Sequence, residues 1–327
     1  METFSQKIKR KVKLQIRQKL PFSLPSPCCV IFLYHTVEEE SQPWTKGHRY
    51  VTHVENFKNQ IQFIQSHFEI VSSTELIEKL KTGNITKNTA AIHFDDGFQT
   101  YYDVVIPFLK EQKIHSTIFL IDSVLNGEVP IRNKLAFCLN SQGREELLQT
   151  LQDILQQDEE AVTNLFIMTN PQILSWAKQA LTMEMEKAIE TIYPQHVGAL
   201  PRQTPFFDQE AALKLRTEPY VEFGSHTVNH LMLSKLDEKT QRHEIIEGHQ
   251  RLETLLDMEV EHFAYPHGGL VHFNETSKRI VQEHQKMVAY SSYGGLNYTF
   301  NSTDLKRITL SNHSSADVKV AVLQHAC

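Results

Sequence analysis

The chain has 327 residues, with 33 Lys and Arg against 39 Asp and Glu, a formal net charge of −6, and 40% hydrophobic residues. That composition buries an ordinary core, which excludes wholesale disorder, and 12 Gly and 12 Pro exclude a collagenous or low-complexity chain. No run approaches the ~20 apolar residues of a spanning helix, and a mildly acidic chain is not built to bind nucleic acid.

Along residues 1–20, Phe4, Ile8, Val12, Ile16 and Leu20 recur every fourth position among seven Lys and Arg, against the single acid Glu2. This is amphipathic helix spacing. Two readings stand: an interfacial helix on an anionic membrane, or a helix packed on its own domain. A signal peptide needs an uninterrupted apolar stretch, so the expected location is cytoplasmic, with peripheral contact at the inner face of the membrane as its extension. Cys28, Cys29, Cys138 and Cys327 show no C-x-x-C spacing, which argues against a disulfide framework.

Pro21, Pro25 and Pro27 mark a linker, dividing the chain into a basic segment and linker over 1–25 and one barrel domain over 26–327. Cys29 to Tyr34 is a continuous apolar run, suited to a strand buried on both faces. Helical patterning covers Asn56 to Phe68 and Ser73 to Lys81, the second opened by Ser73 and Thr74 as caps. Thr89 to Phe94 is the next strand and ends at Asp95-Asp96-Gly97. Tyr102 to Gln112 then reads as helix and His115 to Leu120 as strand, a βαβ unit with parallel pairing. From about 126 to 201 the chain is rich in Gln, Glu and Leu, and reads as two to four inserted helices. These either shape substrate choice beside a cleft or simply buttress the barrel. Alternation resumes with helix Asp208 to Arg216, strand Val221 to Ser225, helix Glu238 to Leu256, strand Glu261 to Tyr265, helix Thr276 to Glu283 and strand Met287 to Tyr290. The sum is an α/β barrel of six or more βα units with a helical insertion.

Three stretches fall at the C-terminal ends of predicted strands, where parallel barrels place their chemistry. In His93-Phe94-Asp95-Asp96-Gly97, adjacent carboxylates at a strand end point apart, so that one can bind a cation while the other stays free for proton transfer. Alone, the same residues make an ordinary turn. In Gly224-Ser225-His226-Thr227-Val228-Asn229-His230, histidines at i and i+4 lie on one face of a helical turn and can close on one cation. With 17 histidines in the chain, chance supplies about one such pair, so its place after a strand is what raises it. In Phe263-Ala264-Tyr265-Pro266-His267-Gly268-Gly269, proline and glycines bring backbone close to whatever fills the cleft, and a backbone N–H there can face an oxyanion. The bland alternative is a strand-ending turn.

Phe94-Asp95-Asp96-Gly97, then Gly224-Ser225-His226-Thr227-x-x-His230, then Phe263-Ala264-Tyr265-Pro266-x-Gly268, in that order, resembles the polysaccharide deacetylase family, the NodB-homology fold. The resemblance covers about 89–125 and 200–300, and Leu33-Tyr34-His35-Thr36-Val37 is similar to the entry motif of many longer members. It implies a distorted (β/α) barrel that removes N-acetyl groups from amino sugars. Asp96, His226 and His230 would hold a divalent ion, usually zinc. Asp95 would be the general base, and the backbone N–H of His267 would bind the oxyanion. His35, Tyr265 and Pro266 are the expected substrate contacts.

There are departures from the family pattern. The arginine that many members carry three residues ahead of His267 is Ala264 here, with Arg307 as a candidate substitute. The late general-acid histidine has no clear match, and His313 is the candidate. His93 shares a strand face with Asp95 and either tunes it or lines the barrel. The leading expectation is a metal-dependent N-deacetylase whose partner is an N-acetylated sugar, as a lipid-linked or nucleotide-linked precursor. Two others compete: a C–N hydrolase of a small non-sugar amide on the same barrel, and an inactive carbohydrate-binding scaffold.

Overall fold

The computed structural model describes residues 22–156, 163–198, 204–312 and 314–326. The basic segment and His313 lie outside the described residues. The strands are β1 (Cys29–Tyr34), β2 (Thr36–Glu38), β3 (Val51–His53), β4 (Glu69–Ile70), β5 (Thr89–Asp96), β6 (Ser116–Leu120), β7 (Val221–Ser225), β8 (His262–Ala264), β9 (Val288–Ser291) and β10 (Leu305–Thr309). β1 pairs in parallel with β10 on one edge and β5 on the other, so β1 and β5 to β10 close a parallel ring of seven. β4 pairs with the first two residues of β5, and β2 and β3 form a separate parallel pair.

The alternation of a strand divides the core in two. Val30, Phe32, Tyr34, Ile92 and Phe94 face outward into the largest apolar cluster, against helices α1 (Val54–His67) and α3 (Ile106–Glu111). Cys29, Ile31, Ala91, Phe119 and Tyr290 face the barrel interior, joined by Leu76 and Leu80 of α2 (Ser73–Thr82). α2 starts where the Ser72 side chain accepts from the N–H of Glu75 and stops at Gly83, whose φ of 69° ends the helix in the left-handed region.

Among the described residues, four α-helices fill the insertion: α4 (Ile131–Leu139), α5 (Arg144–Leu155), α6 (Asn170–Ala180) and α7 (Met183–Val197). They bury their own apolar cluster, which takes in Trp44 from the loop between β2 and β3, its indole N–H donating to the Tyr193 hydroxyl at 2.9 Å. α8 (Gln209–Leu215), α9 (Glu238–Arg242), α10 (Gly248–Leu256) and α11 (Glu275–Glu283) return to the barrel, and α12 (Ser315–Gln324) follows β10. The helix expected over Glu238 to Leu256 is interrupted by a π-helical turn at His243–Glu247. β10 and α12 have no counterpart in the sequence reading. Cys28, Cys29 and Cys138 are buried and unbridged. Among the described residues no helix is long and apolar enough to cross a membrane.

Candidate active site

Asp95 continues the interior-facing row of β5, whereas Asp96 sits at φ 81°, a left-handed conformation that breaks the strand's alternation. The two carboxylates consequently diverge less than the alternation suggests. Nε2 of His226 lies 3.8 Å from Asp95 Oδ2 and 3.6 Å from Asp96 Oδ1, and Nε2 of His230 lies 3.4 Å from Asp96 Oδ1.

His226 and His230 do not share a helical face, which corrects the sequence reading. Residues 226–230 form a loop, with Thr227 at φ 68° and His230 at φ 58°. Two left-handed residues fold it back so that both imidazoles meet one carboxylate, whereas a helical turn needs φ near −63° throughout. Neighbouring segments clamp the loop. The Glu244 carboxylate, delivered by the π-helical turn, accepts from the Asn229 N–H at 2.8 Å and its side-chain amide at 2.9 Å, and Asp122 N–H donates to Thr227 O. Gly248 lets the helix lie against this loop, since a Cβ there would stand 2.8 Å from the Thr227 carbonyl carbon.

Asp96, His226 and His230 are buried, and their ligand atoms lie within 4.8 Å of one another. The donor set suits a divalent ion. His226 Nδ1–H donates to the Ala264 carbonyl at 2.7 Å, which leaves Nε2 as the free lone pair. Asp96 Oδ1 is buried with no hydrogen-bond partner. The other oxygen of Asp96 is held by Arg132 of α4, so the carboxylate presents one oxygen to the histidines.

Arg307 of β10, fully buried in the barrel, forms a bidentate pair with Asp95 at 2.7 and 2.9 Å and donates through Nε to Ser291 O. Burial works to raise the Asp95 carboxyl, and Arg307 with His226 overcomes it, holding the acid below its ordinary range. Burial first, then Arg132 and His267, push His230 well below the usual imidazole range and keep it neutral, the form that ligates metals.

Asp95, Arg132, His226 and His230 open onto a cavity of about 380 Å³ that Tyr50, His35 and His267 also line. His35 stacks on Tyr50 at 5.0 Å, and burial lowers its imidazole to about 4. His267 adopts φ 61°, and its N–H makes no hydrogen bond among the described residues. Tyr265 does not face the cavity: it stacks on Phe273 and its hydroxyl donates to Thr303 O at 2.9 Å. Pro266 is buried beside it and is likewise absent from the cavity wall. His93 is fully buried, with Nε2 2.7 Å from Ser73 Oγ. The insertion is more than a buttress. Arg132 touches Asp96, while Leu174 and Lys178 of α6 line the cavity.

The family model described as polysaccharide deacetylase matches residues 82–289, which include Asp95, Asp96, Arg132, His226, His230 and His267 but not His35, Tyr50 or Arg307. The chain belongs to the polysaccharide deacetylase family. It is 38% identical, over 68 residues, to a poly-β-1,6-N-acetyl-D-glucosamine N-deacetylase of Staphylococcus epidermidis, a match covering 20% of this chain and 24% of that protein. Solved structures share the fold at lower identity. The deacetylase PplD of Streptococcus pyogenes superposes with a TM-score of 0.56 at 17% identity, over 92% of this chain and 99% of that one. IcaB from Ammonifex degensii gives 0.58 at 16% identity, over 90% and 97%. In this deacetylase-family chain the arginine partner of Asp95 comes from β10, and a guanidinium contact to Asp96 comes from the inserted α4.

Proposed function

We propose that this protein is a metal-dependent carbohydrate N-deacetylase that hydrolyses the acetamido group of an N-acetylated amino sugar. One observation supports the reading: an ionised carboxylate, Asp95, stands beside a buried Asp-His-His cluster of metal-ligand type, and Asp95, His226 and His230 line one cavity. Asp96, His226 and His230 would hold the ion, with zinc as the expected metal. A divalent ion there supplies a lowered pKa for water and polarisation of an amide carbonyl. Asp95 takes the proton of the attacking water, and Arg307 keeps that carboxylate ionised and aimed. The unpaired His267 N–H donates to the oxygen of the former carbonyl as negative charge gathers on it. As the C–N bond breaks, the amine needs a proton. Asp95 holds the one it has just taken, and His313 remains the candidate for a separate acid.

Acetate release tests this, with zinc supplied, on oligomers of β-1,6-linked N-acetylglucosamine, the substrate class in the curated relative's name, and on other N-acetylated sugars. The metallated wild type should release acetate, and stripping the ion should stop it. Asp95→Asn, checked to retain its metal, should lose about 10²–10⁴-fold in rate. No acetate from any sugar with a fully metallated wild type sinks the reading.

A further inference from the structure

The cavity carries more positive charge than amide hydrolysis uses. Arg49, Arg132 and Lys178 line it, while the one acid in its wall, Asp95, is already engaged by Arg307, and Arg132 reaches Asp96 behind the wall. Neither Arg49 nor Lys178 has a carboxylate partner among the described residues. Three further nitrogens in the same walls are buried without a hydrogen-bond partner: Arg132 Nε, His48 Nε2 and His35 Nδ1. Arg132 Nε is a donor in every state and is normally satisfied when buried, so its unpaired N–H beside two cations without a carboxylate partner suits an anion.

A second cavity, of about 260 Å³, adjoins the first and shares Arg132, Lys178 and His267 with it. The rest of its wall is mostly apolar, built from Ile131, Leu135, Ala177, Leu181, Leu231 and Leu236. One guanidinium and one ammonium therefore stand at the boundary between the site of chemistry and an apolar chamber. From these contacts we infer that the substrate is an anionic amphiphile: an acetamido sugar joined through a phosphoryl or carboxyl group to an aliphatic chain. The sugar lies at Asp95, the anion at Arg132 and Lys178, and the chain in the apolar chamber. This rests on the deacetylase reading and names the class of substrate for it. The four insertion helices are then the device that selects it, since α4 and α6 supply both cations and much of the apolar wall.

The test measures dissociation constants by calorimetry on the zinc-loaded full chain with four N-acetylglucosamine derivatives. These are the octyl glycoside, the 1-phosphate, the octyl phosphodiester, and an octyl derivative with a carboxylate in the linker. The octyl phosphodiester should bind roughly tenfold or more tightly than either the glycoside or the phosphate. The carboxylate derivative tells phosphoryl from carboxyl recognition. Arg49→Gln with Lys178→Gln should weaken the anionic compounds roughly tenfold and leave the octyl glycoside unchanged. Leu181→Glu should weaken only the compounds with a chain. Leu231→Glu, at a side chain already 40% exposed, serves if that variant does not fold. Equal affinity for neutral and anionic octyl compounds, no gain from the chain, no binding of any of the four, or variants that weaken all four alike would each overturn the inference. Acetate release keeps the two readings apart. Selective binding without acetate sinks the deacetylase and spares the amphiphile site, whereas acetate from all sugars without preference does the reverse.

Discussion

Arg307 and Asp95 are 212 positions apart in sequence and bonded through both guanidinium nitrogens in the barrel. Replacing Arg307 with Met strands a carboxylate in a site where burial alone raises its pKa. The expected loss is about 3–5 kcal/mol in urea unfolding at pH 7, because an unpaired buried charge remains. With Arg307 present, the depressed acid stabilises the fold above the unfolded carboxyl value of 3.8, and that contribution disappears as pH falls through the lower folded value. Without it the sign reverses, and the acid limb of kcat/KM should move to higher pH. Asp95, Asp96, His226 and His230 could be nominated from sequence because their order after strands is distinctive, and the fold brings the four side chains together. Arg307 could only be nominated as a substitute for an absent arginine. Arg132 went unnoticed, since no periodicity links an inserted helix to a carboxylate 36 residues earlier.

At the scale of elements, the loop from His226 to His230 owes its shape to its supports. Two left-handed residues cost about 1 kcal/mol or more each, and they persist because Glu244 and the backbone of Asp122 and Ser123 hold the turn. Glu244→Gln exchanges one carboxylate oxygen for an amide that cannot accept from both Asn229 groups. Zinc affinity, read by competition with a chromophoric chelator, should fall about ten- to hundredfold, as for other indirect supports of ligands. An unchanged affinity would mean that the loop holds itself. The helix expected at Glu238 to Leu256 did form. Its π-helical turn, which aims Glu244, has no sequence signature, because a single inserted residue leaves the apolar pattern readable on both sides. β10 escaped notice for the opposite reason. Leu305-Lys306-Arg307-Ile308-Thr309 places a charged residue on the interior face, so it lacks the apolar run that marked β1. The βαβ rhythm was legible wherever burial on both faces wrote a run of Val, Ile and Phe.

For the whole molecule, burial of neutral histidines sets the response to acid. His35 and His249 are lowered to about 4 and His48 to about 3, burial being the largest cause in each. The unfolded chain takes up these protons near 6.5 and the folded chain resists, so stability is complete above 6.5 and declines as pH falls toward 4. Each histidine contributes a slope of about 1.4 kcal/mol per pH unit inside that window. Urea midpoints between pH 7 and pH 4.5 should show the decline, and His249→Asn should make it shallower. A flat profile would remove these groups from the account. The ring itself has a consequence for biosynthesis. It is sealed by the first strand meeting the last, and that last strand brings the counter-charge for Asp95. On the ribosome, almost every other piece of the barrel is made while β1 keeps an open edge and an acid destined for the interior has no partner. Closure of the ring therefore waits for β10, and until then the nascent barrel keeps an unpaired strand edge.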